Sequence, residues 1–111
     1  MHTMKVQTKY YRLLKSGQKT IELRLFDEKR QQIKIGDMIQ FSDLSNLQDT
    51  FTAKVIALHR APNFNVLTHS IQTSRAGFSS PGELVQVMEQ FYSPEMQQQY
   101  GVIGIEVELV S

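Results

Sequence analysis

The longest uninterrupted apolar run in this chain is Val55-Ile56-Ala57-Leu58, four residues, whereas a helix that crosses a bilayer needs roughly 20. A transmembrane helix is therefore excluded, and the fold has to be assembled from short segments that bury one face each. At 111 residues the chain is sized for a single domain, residues 1–111, with no room for a second independent core. No repeat, low-complexity tract or linker interrupts it.

The segments can be read in order. A short strand is expected at Met4 to Val6. Thr8 to Gly17 reads as a helix: Tyr10, Leu13, Leu14 and Gly17 follow three-and-four spacing, Thr8 can cap its start, and Gly17 can take the left-handed position that ends it. From Lys19 to Phe26 the pattern alternates, with Ile21, Leu23 and Leu25 on one face and Thr20, Glu22 and Arg24 on the other. After a polar turn at Asp27 to Gln32, Gly36-Asp37 introduces a strand around Met38 to Ser42. Asp43 to Asp49 has the composition of a surface loop, and Thr50 to His59 reads as a buried central strand. Phe64 to Ser80 is weakly patterned, with room for one helical turn.

A strong local signal follows. Ser80-Pro81-Gly82-Glu83 supplies an N-cap serine, a proline at the first helical position and the glutamate of a capping box. Leu84, Val87, Met88 and Phe91 then form one apolar stripe to dock on a sheet. Ser93-Pro94-Glu95 starts a second short helix, and Val102 to Val110 alternates cleanly, with Ile103, Ile105, Val107 and Leu109 facing one way. This order predicts an α+β fold: a small mixed barrel of five or six strands flanked by two or three short helices.

The formal net charge is only +1, but residues 1–35 carry nine basic side chains against three acidic ones, so the remainder sums to −5. Such a split implies an anion-attracting face and an opposite acidic one, the latter a possible protein-interaction surface. Cysteine is absent, which excludes disulfides, thiolate nucleophiles and cysteine-ligated zinc. The charges scattered through Met1 to Gly17 leave no apolar stretch of the kind that directs export, so a cytoplasmic location is expected. His2, His59 and His69 have no metal-ligand spacing, and no metal or other cofactor is proposed. Gly17-Gln18-Lys19-Thr20 lacks the second glycine and the Gly-Lys step of a phosphate loop. No nucleophile elbow or glycine-rich dinucleotide fingerprint occurs either.

What remains is a crowd of polar groups on one strand: Lys19, Thr20, Glu22 and Arg24, with Lys29 and Arg30 following. Glu22 and Arg24 sit two apart on one face and can pair, leaving further guanidinium donors for a phosphate, carboxylate or base edge. The bland alternative is an exposed ion pair worth ~0 to 1 kcal/mol.

The pattern Gly17-x-Lys19-x-x-Glu22-x-Arg24 after a short amphipathic helix, then Ile35-Gly36-Asp37-x-Ile39-x-Phe41 and a terminal Tyr100-Gly101-Val102-x-x-Ile105, resembles the ASCH domain, a branch of the PUA-like barrel superfamily. The resemblance spans nearly the whole chain. It implies a PUA-like β-barrel with a cleft between the N-terminal helix and the barrel, and a role in binding RNA or nucleoside-like ligands, linked to RNA processing or translation. Lys15, Lys19, Arg24, Lys29 and Arg30 could then follow a backbone, and Tyr10, Tyr11, Phe26 or Phe78 could stack on bases. Tyr11 is the aromatic assigned to the ligand here, although one of Tyr10 and Tyr11, like Phe26, is also needed as a core anchor.

Some ASCH-like proteins are amidohydrolases of acetylated cytidine that use a lysine, a threonine three residues on and a glutamate ahead of the later helix. Lys19 matches the lysine, but Glu22 stands at the threonine position and the glutamate falls near Gly77. Glu22 would also favour a protonated Lys19, contrary to what nucleophilic catalysis needs. The enzyme reading, amide hydrolysis or RNA cleavage with Lys19 as nucleophile or base and Glu22 as proton shuttle, therefore ranks below the binding module.

Overall fold

The computed structural model describes residues 1–110; Ser111, the last residue of the expected domain, lies outside the described residues. The five strands are β1 (His2–Val6), β2 (Ile21–Leu25), β3 (Met38–Asp43), β4 (Asn46–Ala61) and β5 (Val102–Leu109). They form one sheet in the order β1-β3-β4-β5-β2. The β1–β3 pair is parallel and the other pairs are antiparallel. The sheet curls into a half-barrel whose two free margins are β1 and β2.

The helices are α1 (Thr8–Ser16), α2 (Phe64–Leu67), α3 (Pro81–Phe91) and α4 (Pro94–Tyr100), with 3₁₀ turns at Arg30–Gln32 between β2 and β3 and at Thr73–Ala76 between α2 and α3. None is long and apolar enough to cross a membrane. Helix α1 plugs the concave side, where its Tyr11 and Leu14 pack with Ile39, Phe41, Val55 and Ile105. Gly17 ends it at φ +83° and donates its N–H to the Leu14 carbonyl, as its sequence position predicts. Thr8 does not cap it. The Thr8 hydroxyl donates instead to Asp43 at 2.6 Å, tying the helix start to the β3–β4 hairpin.

That hairpin replaces most of the loop expected at Asp43 to Asp49. Asp43 pairs with Asn46 across a two-residue turn, and its carboxylate also takes the Ser45 N–H. The polar residues Asn46 to Asp49 can extend because β3 offers them ladder partners, whatever their propensity. Between Phe64 and Ser80 two short helical turns form where one was expected. At α3 the Ser80 hydroxyl accepts from the Glu83 N–H, and the Glu83 carboxylate accepts from the Ser79 N–H, one residue outside the usual capping-box geometry.

Strand β2 is covered on both sides. Ile21, Leu23 and Leu25 face the convex side and pack with Phe64, Leu67, Leu84 and Met88 of α2 and α3. Glu22 and Arg24 stand opposite Ile105 and Ile103 of β5. Cross-strand partners share a face, and these two isoleucines belong to the interior core. The charged face of β2 therefore points into the half-barrel.

Candidate functional site

The charged face of β2 is buried rather than solvated. Lys19 and Glu22 are 4% and 5% exposed, and the Arg24 side chain 14%. The Glu22 carboxylate sits between the two cations: one oxygen lies 3.2 Å from Lys19 Nζ. The other accepts from Arg24 Nε at 2.9 Å and lies 2.7 Å from Nη2. Nothing about this is a surface ion pair.

Two backbone carbonyls complete the network. Lys19 Nζ donates to the Ala76 carbonyl at 2.8 Å, which fastens the Thr73–Ala76 turn to the start of β2. Arg24 Nη2 donates to the Lys5 carbonyl at 2.8 Å, and so spans the gap between the two free margins of the sheet. The remaining side of the Lys19 ammonium faces Tyr10 and Phe78, whose ring centroids lie 5.1 and 5.9 Å away, within cation–π reach.

Burial and charge act against each other here. Loss of water pushes the Lys19 ammonium below the ordinary lysine value, and the attraction of Glu22 only partly offsets it. This corrects the sequence-based expectation that Glu22 would hold Lys19 above that value: an ammonium with so little solvent pays more for desolvation than one carboxylate returns. Glu22 is pushed up by burial, but Lys19 and Arg24 together overcome this and hold its carboxyl below the usual range. Arg24 is pushed down by burial and raised on balance by Glu22, with the Tyr92 hydroxyl adding to the effect.

Above the network lies a cleft of about 210 Å³ between α1, β2 and α3. Its walls are aromatic and apolar: Tyr10 and Phe78, in contact at 5.6 Å between centroids, with Met88, Phe91, Tyr92 and Leu44. Phe91, expected to dock on the sheet, is 46% exposed at this cleft. Lys5 stands at the edge. Gly77 abuts the floor: at φ +92°, a Cβ there would meet Lys19 Cδ at 3.3 Å.

Of the residues singled out by sequence, Lys19, Glu22 and Arg24 are thus brought together. Thr20 lies on the other side of the same segment. Its N–H donates to the Arg75 carbonyl, its own carbonyl accepts from Val107, and it lines a separate outer groove of about 620 Å³ beside the His59–Glu106 pair. Tyr11 is in the core, 1% exposed, with its hydroxyl donating to Asp49 at 2.7 Å. It is Tyr10, one position along the helix, that faces the cleft. Lys29 and Arg30 sit in the β2–β3 turn, away from the cleft lining, where Arg30 pairs with Asp27 at 3.1 Å. Phe26 carries the guanidinium of Arg60 at 3.9 Å from its ring centroid.

Sequence reasoning missed Leu44, Tyr92 and the carbonyls of Lys5 and Ala76. A helical-phase argument could have found Tyr92, next to Phe91 at the end of the α3 stripe. Among the described residues no group of three His, Cys, Asp or Glu side chains converges as a metal site would require.

The ASCH domain family model matches residues 4–111. Among solved structures, the hypothetical protein PH0355 is 36% identical with a TM-score of 0.84, each chain covering 97% of the other. Protein PF0455 from Pyrococcus furiosus is 33% identical with a TM-score of 0.76, over 99% of this chain and 97% of that one. The ASCH protein from Zymomonas mobilis shares the fold at 14% identity and a TM-score of 0.66, with 96% of this chain spanning 65% of that one. No functionally curated protein matches the sequence significantly. With its half-barrel, its Lys-x-x-Glu-x-Arg network and a family match over almost its whole length, the chain belongs to the ASCH domain family.

Proposed function

We propose that this ASCH domain is an RNA-binding or nucleoside-recognising module that holds a base in the cleft over Lys19, Glu22 and Arg24, in the service of RNA processing or translation. The observation that carries the reading is the floor of that cleft: two cations share one carboxylate, so a net positive charge sits beneath aromatic walls. Single-stranded nucleic acid is bound by this combination, with rings to stack on and cations to meet the backbone. Lys5 and Lys9 extend the positive charge along the rim, Lys9 Nζ lying 5.6 Å from the Tyr10 ring centroid.

Anisotropy titrations of labelled short RNAs at several salt concentrations, with nucleosides as competitors, test this. With three or so phosphate contacts, log K falls against log salt with a slope of about −2. Tyr10→Leu, which removes a stacking platform and one of the two rings facing Lys19 but none of the charged groups, weakens binding. Absence of binding at low salt, or binding indifferent to Tyr10→Leu, ends the proposal.

A second reading, amide hydrolysis on an acetylated nucleoside or RNA cleavage, draws support from the lowered Lys19 ammonium. Against it, both Glu22 oxygens are already engaged, which leaves a poor proton shuttle, and Gly77 brings no carboxylate to the lysine. Incubating wild type and Lys19→Ala with acetylated nucleosides and labelled RNA separates the readings; equal background turnover removes the enzyme.

A further inference from the structure

We infer that the cleft selects its ligand by charge: it takes a planar ring bearing an anionic acceptor, such as a carboxylate, in preference to the neutral isostere of the same shape. The inference rests on the reading above for the location of the site and adds the chemical class of the occupant.

The inventory of the floor points this way. Glu22 is its carboxylate, and Lys19 Nζ and Arg24 Nε and Nη2 occupy it from both sides. The Glu22 side chain is 7% exposed and both of its oxygens already face a cation, so little of it is open to a ligand's donor. The nearest floor carbonyls, of Ala76 and Lys5, each already accept from Lys19 or Arg24. What remains along the cleft is rich in donors. The bonds to Glu22 and Lys5 use Nε and Nη2 of Arg24, which lines the cleft beside the Tyr92 hydroxyl. Tyr10 and Tyr92 add hydroxyls, and burial, with Glu83 and Glu22 nearby, keeps the Tyr10 hydroxyl protonated.

Charge completes the argument. Lys19, Glu22 and Arg24 sum to one uncompensated positive charge in a place with little water. Such a charge is costly until an anion meets it, and hydrogen bonds to an ionised acceptor are about twice as strong as neutral ones. Tyr10, half-buried at the cleft and tilted against the buried Phe78 at 5.6 Å between centroids, adds a ring face on which a flat ligand can stack.

Matched pairs that differ only in charge read this out on the unmodified protein. Nicotinate against nicotinamide, and orotate against its carboxamide, are titrated by calorimetry and by amide and aromatic chemical-shift mapping, with uridine and a short single-stranded RNA alongside. In each pair the acid binds on the order of tenfold tighter than the amide, the preference shrinks as salt is raised, and the shifts centre on Tyr10, Phe78 and Tyr92. Equal affinity within both pairs, or shifts centred on the outer groove at His59 and Arg75, overturns the inference. If RNA or uridine still binds in that case, the functional reading survives without it; if no ligand of any kind binds, both fall.

Discussion

Replacing Glu22 by Gln keeps the size of the side chain and, with its carbonyl toward Arg24, the bonds on that side, but it turns an NH2 donor toward Lys19 and leaves Lys19 and Arg24 as neighbouring buried cations. The contacts at 3.2 and 2.7 Å correspond to gross attractions of about 5 and about 6 kcal/mol at an effective dielectric of roughly 20. Most of that offsets the cost of taking three charged groups out of water, so the wild-type network adds little net stability. Removing the carboxylate alone is a different matter, because the desolvation remains and the compensation does not. Loss of one partner of a buried pair typically costs about 3–5 kcal/mol, against a total of about 5–15 kcal/mol for a domain. At roughly 4 °C per kcal/mol for a chain of this size, the melting temperature falls by about 12–20 °C. Circular dichroism melts and urea titrations of the wild type, Glu22→Gln, Lys19→Met and the double variant supply the measurement. The double variant loses less than the sum of the singles, because one of the two stranded cations is gone. A Glu22→Gln loss below about 1 kcal/mol, the range of a solvated surface pair, would refute the buried-network argument.

Gly77→Ala forces a side chain into a left-handed backbone at φ +92° and against Lys19 Cδ; a loss of about 1–2 kcal/mol is expected in urea unfolding, and a neutral result would show that the Thr73–Ala76 turn readjusts freely. Ser80→Ala removes the acceptor of the Glu83 N–H at the start of α3 and costs about 1 kcal/mol, read as a lower denaturant midpoint with an unchanged slope. Acid sensitivity follows from the carboxylates. The folded-state values of Glu22, Asp37, Asp43 and Asp49 are all lowered, so the unfolded chain takes up protons first. Stability is then complete above the ordinary carboxylate range near pH 4 and is lost as pH falls through the lower folded values. Denaturant midpoints that stay level from about pH 6 to about pH 3 would contradict these assignments.

The elements that sequence predicted well are those whose signals are local. Ser80-Pro81 and Gly17 mark helix ends through chemistry that acts within a few residues, and Ile103, Ile105 and Val107 alternate because they share the interior core face of β5. The β3–β4 hairpin was not legible because Asn46 to Asp49 are extended only by virtue of their partners. The same limit governs the site. Lys19, Glu22 and Arg24 were visible as a spacing on one strand, whereas the carbonyls of Ala76 and Lys5 that hold them have no identity in a sequence. The choice between Tyr10 and Tyr11 turns on one hundred degrees of helix rotation, and only the packing of Tyr11 against Phe41, Phe51 and Asp49 decides it. Lys29 and Arg30 looked contiguous with the cluster because they follow it in order, but the turn after β2 carries them elsewhere and Asp27 engages Arg30.

The guanidinium of Arg24 that reaches the Lys5 carbonyl has a bearing on any attempt to redesign this protein. One residue both latches the amino-terminal strand to the far margin of the sheet and lines the hollow that the proposed ligand would enter. Altering it to change ligand preference would loosen the architecture at the same stroke. Leu44 and Phe91, half-exposed at the rim, bear no such double duty and are the positions from which new preferences can be grafted.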